Sequence, residues 1–94
     1  MTLDDFSRYW REVHAPIGRR IPGLRRLVQS HRVTDPSDVT AAFDGVAELW
    51  FDDLAALEVA RRSPEWEVSS ADEANFIDAT RTASFVSEER EIIG

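Results

Sequence analysis

Phe6-Ser7-Arg8-Tyr9-Trp10-Arg11-Glu12-Val13-His14-Ala15-Pro16, continuing through Arg19-Arg20 to Ile21-Pro22-Gly23-Leu24, decides how this chain folds. Leu3, Phe6, Trp10, Val13 and Ile17 recur at three- and four-residue spacing, which predicts an amphipathic helix with Asp5, Arg8, Arg11 and Glu12 towards water. Thr2 is placed to cap it, and Asp4 and Asp5 complement its positive amino-terminal dipole. Pro16 should end or bend that helix close to His14. A titratable imidazole therefore falls where a helix gives way to a turn.

Working outward, Leu24 to Val33 reads as a strand, with Leu27, Gln29, His31 and Val33 on one face and Val28, Ser30 and Arg32 on the other. Thr34 to Ala42, with Pro36 and small polar residues, reads as a loop. Phe43 to Phe51 is a second strand introduced by a turn signal at Asp44-Gly45. Both of its faces are largely apolar, so it is expected to be central and covered. Asp52 or Asp53 caps a helix carrying Leu54, Leu57 and Ala60 that stops near Ser63-Pro64. Glu65 to Ala79 resumes as helix, with Trp66, Ala74, Phe76 and Ile77 apolar and Glu65, Glu67, Asp72 and Glu73 read as a solvated face. Thr82 to Ile93 reads as a third strand. The order helix, strand, strand, helix, strand is an α+β pattern, a ferredoxin-like βαββαβ unit short of its first and normally central strand. A true start upstream of Met1, or a truncated chain, is the expected reason.

Ninety-four residues predict one domain, 1–94, which buries only roughly 60–65% of the unfolded chain's surface. A partner subunit walling any deep pocket is therefore expected, as a homodimer. The net charge of −7 argues against a nucleic-acid partner, although Arg19-Arg20 and Arg25-Arg26 cluster near the turn. All 11 basic residues are arginine, which excludes a Schiff-base lysine, and the absence of cysteine excludes disulfides and thiolate chemistry. No apolar run approaches the roughly 20 residues that span a bilayer, so no membrane association and a cytoplasmic location are expected. Two histidines and scattered carboxylates form no spaced metal-ligand set, and no phosphate-binding glycine loop is present. Neither metal nor cofactor is expected.

His14 is the leading candidate for chemistry, because an imidazole titrating near about pH 6.5 can act as base and then as acid in one turnover. The competing reading makes it a turn-shaping residue bonded to a carbonyl. His31 either polarises a substrate carbonyl from the sheet face or is packed in an interface. Glu48, between apolar neighbours, is either a general acid or base raised by burial, or a carboxylate that is paired with an arginine or faces a partner subunit. Tyr9, Trp10, Trp50 and Phe76 either line a cavity for a flat apolar ligand, with the Tyr9 hydroxyl as donor, or form the core.

Phe6-x-x-Tyr9-Trp10-x-x-x-His14-Ala15-Pro16, Ile21-Pro22-Gly23-Leu24, Asp44-Gly45-Val46-Ala47-Glu48-Leu49-Trp50-Phe51, Ser63-Pro64-Glu65 and Phe76-Ile77-Asp78 together resemble the EthD-like proteins. The resemblance spans nearly the whole chain. It implies a ferredoxin-like dimeric α+β barrel with a ligand cavity between sheet and helices. It also implies cofactor-free acid-base chemistry, as a cyclase, isomerase or dehydratase, on a hydrophobic carbonyl-bearing substrate of polyketide-like or lactone-like kind. His14 would move the proton, Tyr9 or His31 would stabilise an oxyanion, and Trp50 and Phe76 would hold the substrate. Cofactor-independent oxygenation by an oxidoreductase and non-catalytic ligand carriage are the alternatives that the fold alone does not separate.

Overall fold

The structure, a computed structural model, describes residues 1–35, 37 and 41–94. Helix α1 (Leu3–Tyr9) runs into a π-helical turn (Trp10–His14) and then into α2 (Ala15–Gly18). Strands β1 (Arg26–His31) and β2 (Gly45–Trp50) follow, then helices α3 (Leu54–Arg61) and α4 (Pro64–Glu73), and last a 3₁₀ turn at Ala79–Arg81. Thr2, Asp53 and Ser63 cap α1, α3 and α4 by accepting from the backbone N–H groups of Asp5, Ala56 and Trp66.

Pro16 is expected to end or bend the helix; the helix does not end there but is distorted just before it. The proline ring removes a donor and collides with the carbonyl four residues back. The chain meets this by widening the preceding turn, with the Ala15 N–H donating to the Trp10 carbonyl, and then continues. The wider turn takes Val13 out of the apolar stripe, leaving it 43% exposed, and brings His14 inward.

The strands pair antiparallel, with Leu27 opposite Leu49, Gln29 opposite Ala47 and His31 opposite Gly45 on the face towards the first helix. α2 packs at Gly18 against Leu27 and against Ser69 of α4, where a Cβ would make ordinary contacts of 3.7 and 4.0 Å. Trp10, 5% exposed, fills the angle between helix and sheet, with its ring 5.4 Å from Phe6 and 4.4 Å from His31. Gly45 lies directly beneath that indole.

Three expectations need correction. The sheet has two strands among the described residues, and β2, expected to be covered, is largely exposed on both faces. The helix expected over 65–79 spans Pro64–Glu73, and Asn75, Phe76 and Ile77 then fold back onto the Asp72 and Glu73 carbonyls. Thr82 to Ile93 forms no strand, and Phe85, Ile92 and Ile93 are 89%, 88% and 93% exposed. A strand needs a neighbour for its N–H and C=O groups, and no described segment stands beside this one. The radius of gyration, 14.5 Å, exceeds the about 12 Å typical of this length, so much apolar surface stays outside the core. The loop expected over 34–42 falls partly outside the described residues, at Pro36, Asp38, Val39 and Thr40.

Because a side chain at position 45 would run into the Trp10 indole and meet the Ser30 carbonyl at 3.0 Å, Gly45→Val should destabilise the fold by about 1–3 kcal/mol. Urea unfolding followed by circular dichroism measures it; an unchanged midpoint would show that Trp10 does not pack there.

Candidate active site

In an uninterrupted α-helix, positions 9 and 14 point about 140° apart. The π turn closes that angle, and both side chains reach one carboxylate on α4. The Tyr9 hydroxyl donates to Asp72 Oδ1 at 2.6 Å, and His14 Nδ1 lies 2.8 Å from Asp72 Oδ2. Asn75 adds a third hydrogen bond, its Nδ2 donating to Asp72 Oδ1 at 3.0 Å. The widened turn is itself held from the sheet, where Gln29 Nε2 donates to the Trp10 carbonyl at 2.9 Å.

Burial pushes the Asp72 carboxyl up, but hydrogen bonds from Tyr9, His14 and Asn75 outweigh it and hold the group below the usual carboxylate range. An ionised carboxylate only accepts, so Nδ1 of His14 carries a proton, and in the neutral form of the ring the lone pair is on Nε2. Nε2 makes no hydrogen bond to a described residue. The two side chains are 13% and 10% exposed, so the pair is shielded from water without being sealed off. Its bond to Asp72 raises the Tyr9 hydroxyl above its ordinary value, and its one proton is committed to the carboxylate. Phe76 lies against His14 and Tyr9, with ring centroids 4.7 and 5.2 Å away.

Glu73 follows Asp72 and helps line a cavity of about 330 Å³ with Ser70, Ala74, Ile77, Ala79 and Thr82. Glu73 is exposed at the cavity's rim; partial desolvation raises its carboxyl, and the neighbouring Asp72 charge adds to the rise.

The other expected site residues lie elsewhere. His31 is on the helix-facing side of the sheet, and its Nε2–H donates to Gln29 Oε1 at 2.8 Å, leaving Nδ1 buried without a described partner. Burial and then the nearby Arg11 charge lower its pKa, so the ring is neutral. No described hydrogen bond joins it to Asp72. Glu48 is on the outer sheet face and exposed, without the burial expected of it, because nothing described covers that face. Trp50 is on the same outer face, under Arg26 at 4.5 Å, and Trp10 is core. Among the described residues no group of three or more His, Cys, Asp and Glu side chains gathers to hold a metal, and no helix is long and apolar enough to cross a membrane.

Asp72 and Asn75 were not among the expected site residues. Asp72 reads as one of several acids on a solvated face. Its only sequence signal is its place in the row Trp66, Ser69, Asp72, Phe76, spaced like a core stripe but interrupted by a carboxylate.

The family profile of the EthD domain matches residues 1–80. The chain belongs to the EthD family. Its α+β, ferredoxin-like arrangement is similar to the crystal structure of an ethyl tert-butyl ether (EthD) family protein from Bacillus halodurans. That match has a TM-score of 0.69 and 31% identity, covering 80% of this chain and 74% of the other. The chain is also 29% identical over 84 residues to an uncharacterised 11.0 kDa protein encoded between thcB and thcC in Rhodococcus erythropolis, covering 89% of this chain and 81% of that one.

The stability of this EthD protein should fall in two steps on acidification. His31 has a depressed folded pKa, so its contribution is complete above the unfolded value of about 6.5 and is lost as pH falls below it. Asp72, also depressed, contributes fully above about pH 4 and loses its share as pH falls further. Urea midpoints measured from pH 8 to 3 test this. His31→Gln should flatten the upper step and Asp72→Asn the lower; unaltered profiles would contradict the assignment.

Proposed function

We propose that this EthD protein is a cofactor-free acid-base enzyme acting on a hydrophobic, carbonyl-bearing small molecule, which it cyclises, isomerises or dehydrates. The observation that carries this reading is the 2.8 Å bond between His14 Nδ1 and Asp72, which turns the imidazole into an oriented base with its lone pair on Nε2. Nε2 removes a proton from the carbon beside the substrate carbonyl. The carbon–hydrogen electron pair moves into the carbonyl to make an enolate, and Asp72 stabilises the imidazolium. Glu73, its carboxyl raised by partial desolvation and by the Asp72 charge, donates a proton to the developing oxygen. Return of the Nε2 proton to another carbon, as the enol oxygen gives its proton back to Glu73 and the carbonyl re-forms, completes an isomerisation; delivery of the Nε2 proton to a β-hydroxyl that leaves as water, with the same return of the enol proton to Glu73, completes a dehydration.

Tyr9 and Asn75 hold Asp72, and Phe76 provides an apolar wall beside the imidazole. Oxygenation begins with the same proton abstraction and would use the same base. The outer sheet face, with Val46 54% exposed, supports a homodimer that would cover it.

The direct test is deuterium exchange at the carbon between the carbonyls of 1-phenyl-1,3-butanedione in D₂O, followed by NMR with the purified chain. Exchange should exceed the buffer rate, and His14→Ala should lower the excess by about 10²-fold or more while leaving the circular dichroism unchanged. Equal rates for the two proteins would reject catalysis by His14 and leave ligand carriage as the function.

A further inference from the structure

His31 takes no part in the chemistry proposed for His14. It is half-buried beside the Trp10 indole, and its Nε2 lies 2.8 Å from Gln29 Oε1. The same Gln29 amide crosses from β1 to the first helix, where its Nε2 donates to the Trp10 carbonyl at 2.9 Å. Each bond fixes the other. A carbonyl only accepts, so the amide turns its NH₂ to Trp10 and its oxygen to His31, which must then donate from Nε2. Without that donor the amide could flip and set its oxygen against the Trp10 carbonyl, where two acceptors repel.

The carbonyl that Gln29 holds is the one that defines the π turn. In an α-helical register the Trp10 oxygen would accept from the His14 N–H; here it accepts from the Ala15 N–H, one residue further on. That difference decides where the imidazole goes, because the wider turn brings His14 and Tyr9 round to the same carboxylate. The Ala15 N–H takes one lone pair of the Trp10 oxygen and the Gln29 amide takes the other, so the second bond ties the turn to the sheet. Among the described residues it is the one side-chain hydrogen bond from another element to the backbone of Trp10–His14. We propose that Gln29 is a positioning residue for the His14 base: its amide, oriented by His31, holds the Trp10 carbonyl in the π register that carries the imidazole onto Asp72. The proposal rests on the reading of His14 as the base, and extends it to two residues that hydrogen-bond neither His14 nor Asp72.

Long-range proton–nitrogen NMR of the folded chain, at a pH where both rings are neutral, reads the two histidine tautomers, and deuterium exchange of 1-phenyl-1,3-butanedione reads the base. In the unaltered protein His31 should carry its proton on Nε2, opposite to His14; a proton on Nδ1 of His31 would overturn the proposal without any variant having to fold. Gln29→Met keeps the length of the side chain but has no N–H to give. It should turn His14 from the Nδ1–H form into a mixture of tautomers and lower the excess exchange about tenfold or more. His31→Leu should act in the same direction, and His31→Gln, whose amide N–H replaces the Nε2 donor, should restore both readings. A loss of stability in Gln29→Met with the His14 tautomer and the exchange rate unchanged would make Gln29 structural only and overturn the proposal. Should the unaltered chain exchange no faster than buffer, the reading of His14 as a base fails, and the His14 tautomer in Gln29→Met still decides whether Gln29 positions the ring.

Discussion

Asp72 joins two parts of the molecule that are otherwise held mainly by apolar contact. Its carboxylate accepts from Tyr9 and His14 of the first helix and from Asn75 beyond the end of α4. With three donors it stays ionised in spite of its burial, and that ionised state dictates which nitrogen of His14 holds the proton. Removing the acceptor would leave two side chains of the first helix without a partner, each at a cost of about 1–3 kcal/mol. In a small domain with a thin core, that is a large share of the total.

The geometry behind this junction is a backbone irregularity. Pro16 forbids a regular turn at His14, and the π turn from Trp10 to His14 is how the helix accommodates it. The same widening rotates Val13 outward, lowers His14 onto α4 and exposes the Trp10 carbonyl to Gln29 of β1. One local departure thus sets the register of helix against sheet and of helix against helix. The Trp10 indole, packed between Phe6, His31 and Gly45, keeps that register from sliding.

What could be read without the structure was whatever a local period encodes. The row Leu3, Phe6, Trp10, Ile17 placed the first helix, and the alternation around Gln29 and His31 placed β1 and the residues that share each of its faces. The motif through His14 led to the family. Asp72 was out of reach, because a carboxylate on an acidic helix declares itself only when another helix is laid across it. The third strand failed for a related reason: alternation in Thr82 to Ile93 predicts a strand only if an edge is available to pair with it. Glu48 likewise looked buried among apolar neighbours, but no described residue covers the face of β2 on which it lies.

The measurement that bears most directly on the account is the tautomer of His14, observed by long-range proton–nitrogen NMR of the imidazole at a pH where the ring is neutral. Held by Asp72, the ring should carry its proton on Nδ1 and leave Nε2 bare, reverting in Asp72→Asn to the mixture of an unconstrained histidine. A proton on Nε2 in the unaltered protein would mean that Asp72 does not hold the ring, and the oriented base on which the proposed chemistry depends would not exist.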